Sequence, residues 1–168
     1  MAASSSLSIL VGDKRDSRPS DGETCQTPCR TSSETANMVE TLSTTAVEGI
    51  NTRSFAEAKN SGLFAPGFEA KFDDVQAATS LSEHADYLRE VAKAHPEYSA
   101  KVVNVSSDVD EESGSATVYM LMSVLGRSTP IRRQAMSIVR WARHEEGNWL
   151  ITSASTIRGM TASDLPGA

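Results

Sequence analysis

The chain has 168 residues, an apolar fraction of 39% and a formal net charge of −6. That length suits one compact domain with a tail, and the acidic balance makes a phosphate backbone a poor partner, so nucleic acid is set aside. No apolar run is long enough to span a bilayer, and the short cluster Leu7 to Val11 lacks the charged lead-in of a secretory signal, so a cytoplasmic protein without membrane attachment is expected.

Polar residues concentrate in positions 1–32, which carry four basic and four acidic residues and read as a disordered Ser/Thr/Pro-rich tail. Its acidic residues Asp13, Asp16, Asp21 and Glu23 argue against a mitochondrial transit peptide. The only cysteines, Cys25 and Cys29, lie in this tail with no second ligand pair nearby, so neither a structural zinc site nor any other metal is expected. The folded domain is expected over 33–160, with 161–168 as a flexible C-terminus.

Three helices are announced by one device, a hydroxyl residue followed three positions later by glutamate. Such a pair can satisfy free N–H groups at a helix start. Thr31 and Glu34 open a helix with Val39, Leu42, Ala46 and Ile50 on its apolar stripe. Ser54 and Glu57 open a short second helix. Ser80 and Glu83 open a third, with Leu81, His84, Ala85, Leu88 and Val91 on one side and Pro96 blocking its continuation. Between the second and third, "LFAPGFEAKFDDV" alternates Phe68, Ala70 and Phe72 with charged residues and reads as a strand.

After Pro96 the texture turns to β-branched runs. "YSAKVVNVSSDV", "SATVYMLMSVLG", "IRRQAMSIVRWAR" and "WLITSASTIRG" are four strands parted by turn-like segments at Asp110 to Gly114, Gly126 to Pro130 and Glu145 to Asn148. Short connections favour antiparallel neighbours, so the fold class is α+β. The stretch "RHEEGNW" places His144 beside two carboxylates, but Gly147 and Asn148 suit the positive φ angles of a tight turn. His144 is therefore read as a strand-end residue. The arginines crowded into 127–143 are assigned to pairing across strands with the acidic run Asp108 to Glu112.

The helix "ANMVETLSTTAVEGI", the strand "FAPGFEAKF", the helix "EHADYLREVAKAHPEY" and the hairpin "RWARHEEGNWLI" running into "TIRG" together resemble the nuclear transport factor 2-like superfamily, and within it the SnoaL-like branch. The resemblance covers about residues 33–160. It implies a cone: three N-terminal helices against a strongly curved antiparallel sheet, with a cavity open at one end. Members include ketosteroid isomerase, scytalone dehydratase, polyketide cyclases, epoxide hydrolases and pure assembly modules, so the fold does not select a function.

In the superfamily's usual orientation, the cavity side chains would be Val118, Met120, Met122 and Val124, then Ala135, Ser137, Val139 and Trp141, then Leu150, Thr152, Ala154 and Thr156, with Arg158 at the rim. Phe72 would stand near the place of the isomerase's general base. No carboxylate or histidine belongs to that set, so two candidates remain outside it. Asp73 would turn inward on a one-residue slip of register, and His84 could face the cavity mouth from the third helix. His95 reads as a helix C-terminal residue complementing the dipole.

The opposite face of the sheet would carry Tyr119, Leu121, Leu125, Met136, Ile138, Trp149 and Ile151, an apolar patch that predicts a homodimer packed sheet to sheet. Two functions follow as expectations. One is a domain binding a small apolar or polyketide-like molecule, with cofactor-free isomerase, cyclase or dehydratase chemistry if it is catalytic. The other is a non-catalytic assembly module whose cavity is filled by Met120, Met122 and Trp141.

Overall fold

The computed structural model describes residues 27–73, 75–126, 132–145 and 147–159, with side chains from Ser33 onward, Val75 excepted. The expected tail up to residue 26, including Cys25, the C-terminal residues 161–168 and most of the turn after Gly126 lie outside the described residues. Among those described, no helix is long and apolar enough to cross a membrane.

Three helices and six strands follow in the order α1 (Thr27–Thr52), α2 (Phe55–Asn60), β1 (Phe64–Phe72), β2 (Val75–Ala78), α3 (Leu81–Ala94), β3 (Ser99–Asp110), β4 (Ser115–Leu125), β5 (Arg133–Arg143) and β6 (Trp149–Arg158). The strands form one curved, unclosed sheet in the order β2-β1-β6-β5-β4-β3. Every pairing is antiparallel except that of β1 with β6, which is parallel. The expected α+β cone is present, with one parallel pair in its otherwise antiparallel sheet.

The three helix-start signals fare differently. Ser80 caps α3 by accepting from the Glu83 N–H at 3.2 Å, and the Glu83 carboxylate reaches back to the Thr79 N–H at 2.8 Å, one residue earlier than expected. Ser54 stands at the start of α2 without capping it, its hydroxyl lying 2.9 Å from that of Thr52. Helix α1 spans Thr27–Thr52, so Thr31 lies inside it and does not cap its start.

The strand expected at "LFAPGFEAKFDDV" ends at Phe72, and a short strand unseen in the sequence, β2, folds back on it. The hairpin between β5 and β6 closes as read, with the His144 N–H donating to the Asn148 carbonyl at 2.8 Å. Gly147 supplies a positive φ there, and Asn148 does not. Arg143 meets Glu111 at 2.9 Å across the hairpin ends, the cross-strand pairing expected of the arginine-rich segment.

The core sits between α1 and the inner face of the sheet, with Val39, Phe68, Val118, Met120, Trp141 and Ile151 almost wholly buried. Strand alternation explains β4, where Ala116, Val118, Met120 and Met122 are buried in turn. Where α1 ends, the Asn51 side chain takes the place of a neighbouring strand. It donates to the Ala100 carbonyl at 2.7 Å and accepts from the Ala100 N–H at 2.8 Å.

Strand β6 departs from the expected alternation. Arg140 pairs with Ser153 while Trp141 pairs with Ile151, so Thr152 is the extra residue of a bulge. The bulge reverses the facing of everything before it. Ile151 joins the core at 2% exposure, Trp149 packs against the core half-buried, and Leu150 pairs with Ala142 on the outer side. Trp149 and Ile151 therefore leave the outer patch expected of them, and Leu150 and Thr152 leave the cavity set.

Candidate functional site

The inner face and the helices enclose an open cavity of about 500 Å³. Strand β1 contributes an aromatic wall, because Phe64, Phe68 and Phe72 recur at even spacing on one face of the strand. Phe64 and Phe68 meet edge to face, with ring centroids 5.1 Å apart. Met120 and Met122 from β4 and Val139 from β5 form the floor, and Ile151 and Ala154 from β6 continue it. The methionines are walls of the space and do not fill it.

Trp141 does not border the cavity. It is buried in the core, where its indole N–H donates to the Ser43 hydroxyl at 3.2 Å. That bond satisfies the one polar atom of each partner that burial would otherwise strand. Thr152 is also absent from the walls, its hydroxyl spent on the Arg140 carbonyl at 3.2 Å.

The polar groups in the walls are few. Ser137 on β5 and Thr156 on β6 are register partners, with the Thr156 hydroxyl 3.4 Å from that of Ser137. Arg158 and Arg133 border the cavity at one end of the sheet, and Glu48 and Glu57 border it from the exposed sides of α1 and α2. Arg133, Phe64, Phe68 and Ile151 were not singled out as pocket residues. The repeat of phenylalanine at every fourth position of β1 is the signal that could have found two of them.

Of the two candidate acid/base residues, His84 reaches the cavity and Asp73 does not. Asp73 is exposed in the turn after β1. Its carboxylate accepts from the Arg158 backbone N–H at 3.0 Å and lies 3.6 Å from the Arg158 guanidinium. This contact ties the end of β1 to the end of its parallel neighbour β6. The placement gives the carboxylate a local structural partner at the rim.

His84 sits one turn into α3, its ring stacked on Phe72 with centroids 5.5 Å apart and planes 19° apart, and tilted against Phe68 at 5.7 Å. Its Nδ1 is buried and has no hydrogen-bond partner among the described residues. Burial against these rings pushes its pKa down to about 4, so the imidazole is neutral at pH 7. It can accept a proton, but among the described residues nothing at Nδ1 would stabilise the imidazolium formed. Among the described residues no three His, Cys, Asp or Glu side chains converge on a metal position.

On the outer face, Tyr119 pairs with Ile138 and Leu121 with Met136, all four turned away from the cavity. Tyr119 is 42% exposed, Met136 39% and the adjacent Ile157 54%.

No protein-family model matches the chain, and no curated protein matches it in sequence. Solved structures do resemble it. The dehydrochlorinase LinA-type3 of Novosphingobium barchaimii, named for hexachlorocyclohexane, aligns with a TM-score of 0.63 at 13% identity over 78% of this chain and 89% of that one. An NTF2-like protein with a cystatin-like fold from Novosphingobium aromaticivorans gives 0.62 at 12% identity over 86% and 96%. ActVI-ORFA of Streptomyces coelicolor gives 0.51 at 16% identity over 72% and 96%. The chain has the NTF2-like, cystatin-like fold.

Proposed function

We propose that this NTF2-like domain, α1 through β6, binds a small apolar or polyketide-like molecule in its cone cavity. The observation that carries the reading is the open space itself. About 500 Å³ walled mainly by phenylalanine, methionine and valine, with a few hydroxyl groups inside and charged residues at its border, has the size and chemistry of a small-molecule site. Phe72, Met120, Met122, Ser137, Thr156 and Arg158 are its proposed ligand residues.

If the bound molecule is also transformed, the chemistry open to these side chains is cofactor-free proton transfer of the isomerase, cyclase or dehydratase kind. His84 would act as base, and Ser137 and Thr156 would orient the substrate. A pKa of about 4 makes His84 a weak base, and Asp73 is engaged by Arg158. Binding therefore stands ahead of catalysis.

A second reading concerns the outer face. Tyr119, Leu121, Met136 and Ile138 form an apolar strip that the helices leave uncovered, which favours a homodimer packed through this face. A purely assembling module would have a closed core, and the open cavity weighs against that form of the reading.

The test is native mass spectrometry of the purified chain before and after organic extraction. A ligand mass lost on extraction supports the binding site. A species with no adduct, even after incubation with apolar compounds, removes it, and the mass of the assembly decides the homodimer in the same spectrum.

A further inference from the structure

Resting on the cavity reading above, we infer that the bound molecule is an apolar monocarboxylate, its carboxylate held at the rim between Arg133 and Arg158 and its body laid along the phenylalanine wall. The inference begins with register. Ala135 lies opposite Arg158 and Ser137 opposite Thr156, and Arg133 stands two positions before Ala135 on β5. The pairing holds to this end, where the Gly159 N–H donates to the Gln134 carbonyl at 2.8 Å. Arg133 and Arg158 are therefore diagonal neighbours on the cavity face, about 7–8 Å apart. Both border the cavity.

Two like charges at that spacing repel, and an anion placed between them relieves the repulsion. The carboxylates already nearby come from other directions. Asp73 reaches Arg158 from the β1 side of β6, whereas Arg133 lies on the β5 side. One Asp73 oxygen stands 3.6 Å from the Arg158 Nε, too far for a hydrogen bond, and the other takes the Arg158 backbone N–H. Glu48 and Glu57 border the cavity from exposed positions on α1 and α2, across from the sheet.

The head group follows from what this strip of the sheet offers. A guanidinium only donates, and its planar fork matches the two oxygens of a carboxylate. The Ser137 hydroxyl accepts from Thr156 at 3.4 Å and keeps its own hydrogen to donate along the same strip. An ammonium would meet donors alone, and an alcohol would match few of them. A second negative charge would have to enter an interior of phenylalanine, methionine and uncharged His84, so one charge at the rim fits best. Phe72 lies opposite Thr156, two residues from Arg158, so the aromatic wall begins beside the head-group position.

The experiment titrates the full chain at pH 7 with 2-naphthoate, 2-naphthamide and 2-naphthylmethylamine, which carry one ring system and an anionic, a neutral and a cationic group in turn. Naphthoate is expected to bind about tenfold or more tightly than the amide, and the amine most weakly. The gap between naphthoate and amide should narrow in Arg133→Gln and in Arg158→Gln, with binding of the amide unchanged. Asp73→Asn removes a competing carboxylate and should tighten naphthoate about threefold without affecting the amide. Equal binding of naphthoate and amide by the unmodified chain would overturn the inference while leaving the cavity a binding site. A gap unchanged in either arginine variant would overturn it too, since the anion would be read elsewhere. Failure of all three compounds to bind would overturn both readings. Should the arginine variants not fold, Asp73→Asn decides, and no tightening of naphthoate there sinks the proposal.

Discussion

Met120, Ser137 and Thr156 look from the inner face of the sheet across a cavity roofed by three helices, while their neighbours Tyr119, Met136 and Ile157 stand in solvent on the other side. Both faces are apolar in the central strands, and the same alternation produces both. The difference between them lies in the partner. Helices that precede β3 in the chain cover the inner face and leave a space beneath them, whereas nothing in the described residues covers the outer one. A strand pattern assigns residues to faces; which face is filled is decided by elements far away in the sequence.

If the inner face carries the stability, truncating it should be severe. Trp141→Ala removes a wholly buried ring and its bond to Ser43, and is expected to cost about 3–5 kcal/mol in chemical denaturation. A loss below about 1 kcal/mol would mean that the inner face is not the core described above.

The next effect is specific to the dry wall of the cavity. The folded pKa of His84, about 4, lies below the ordinary histidine value of 6.5, so between those pH values the unfolded chain binds the extra proton. The stabilising contribution is complete above pH 6.5 and is lost as pH falls toward 4, by about 3 kcal/mol in total. Denaturation of the unmodified chain and of His84→Phe from pH 7 to 5 should show this slope in the first and not in the second. Parallel curves would show that His84 is solvated.

Smaller effects follow toward the surface. Asn51→Ala strands the Ala100 N–H and carbonyl at a half-buried edge and should cost about 1–3 kcal/mol. Asp73→Asn weakens only a partly exposed pair with Arg158 and should cost about 1 kcal/mol or less. Met136→Lys on the outer face should move stability within about 0.5 kcal/mol at concentrations where the chain is monomeric. The same change should shift the sedimentation of any dimer toward monomer. A dimer indifferent to it would have to use another surface.

How far the sequence could be read depended on how local the cause was. Strands β4 and β5 were legible because Val118, Met120 and Met122, or Ala135, Ser137 and Val139, alternate without a break. The third helix was legible because Ser80 and Glu83 form its cap. Strand β6 misled because the bulge at Thr152 is a property of its pairing with Arg140 and Trp141, and no glycine or proline marks it. The first helix misled because a capping pair at Thr31 and Glu34 can equally lie inside a longer helix. His84 was named from its stripe on α3, but its neutral state depends on Phe68 and Phe72, which β1 brings to it from another element. The cavity was the least legible feature, since it depends on how far the sheet curves away from α1.

The parallel pairing of β1 with β6 has a consequence in time. Phe64, near the start of the sheet in the chain, lies opposite Ile151, near its end. During synthesis β1 and β2 can meet as a hairpin, but the edge of β1 that β6 will occupy stays open until the last strand has been made. Contacts of such long sequence separation slow folding and leave an unpaired edge exposed meanwhile. The final strand therefore acts as a late-arriving clasp, and the half-made chain passes through an interval in which β1 is available to any other strand.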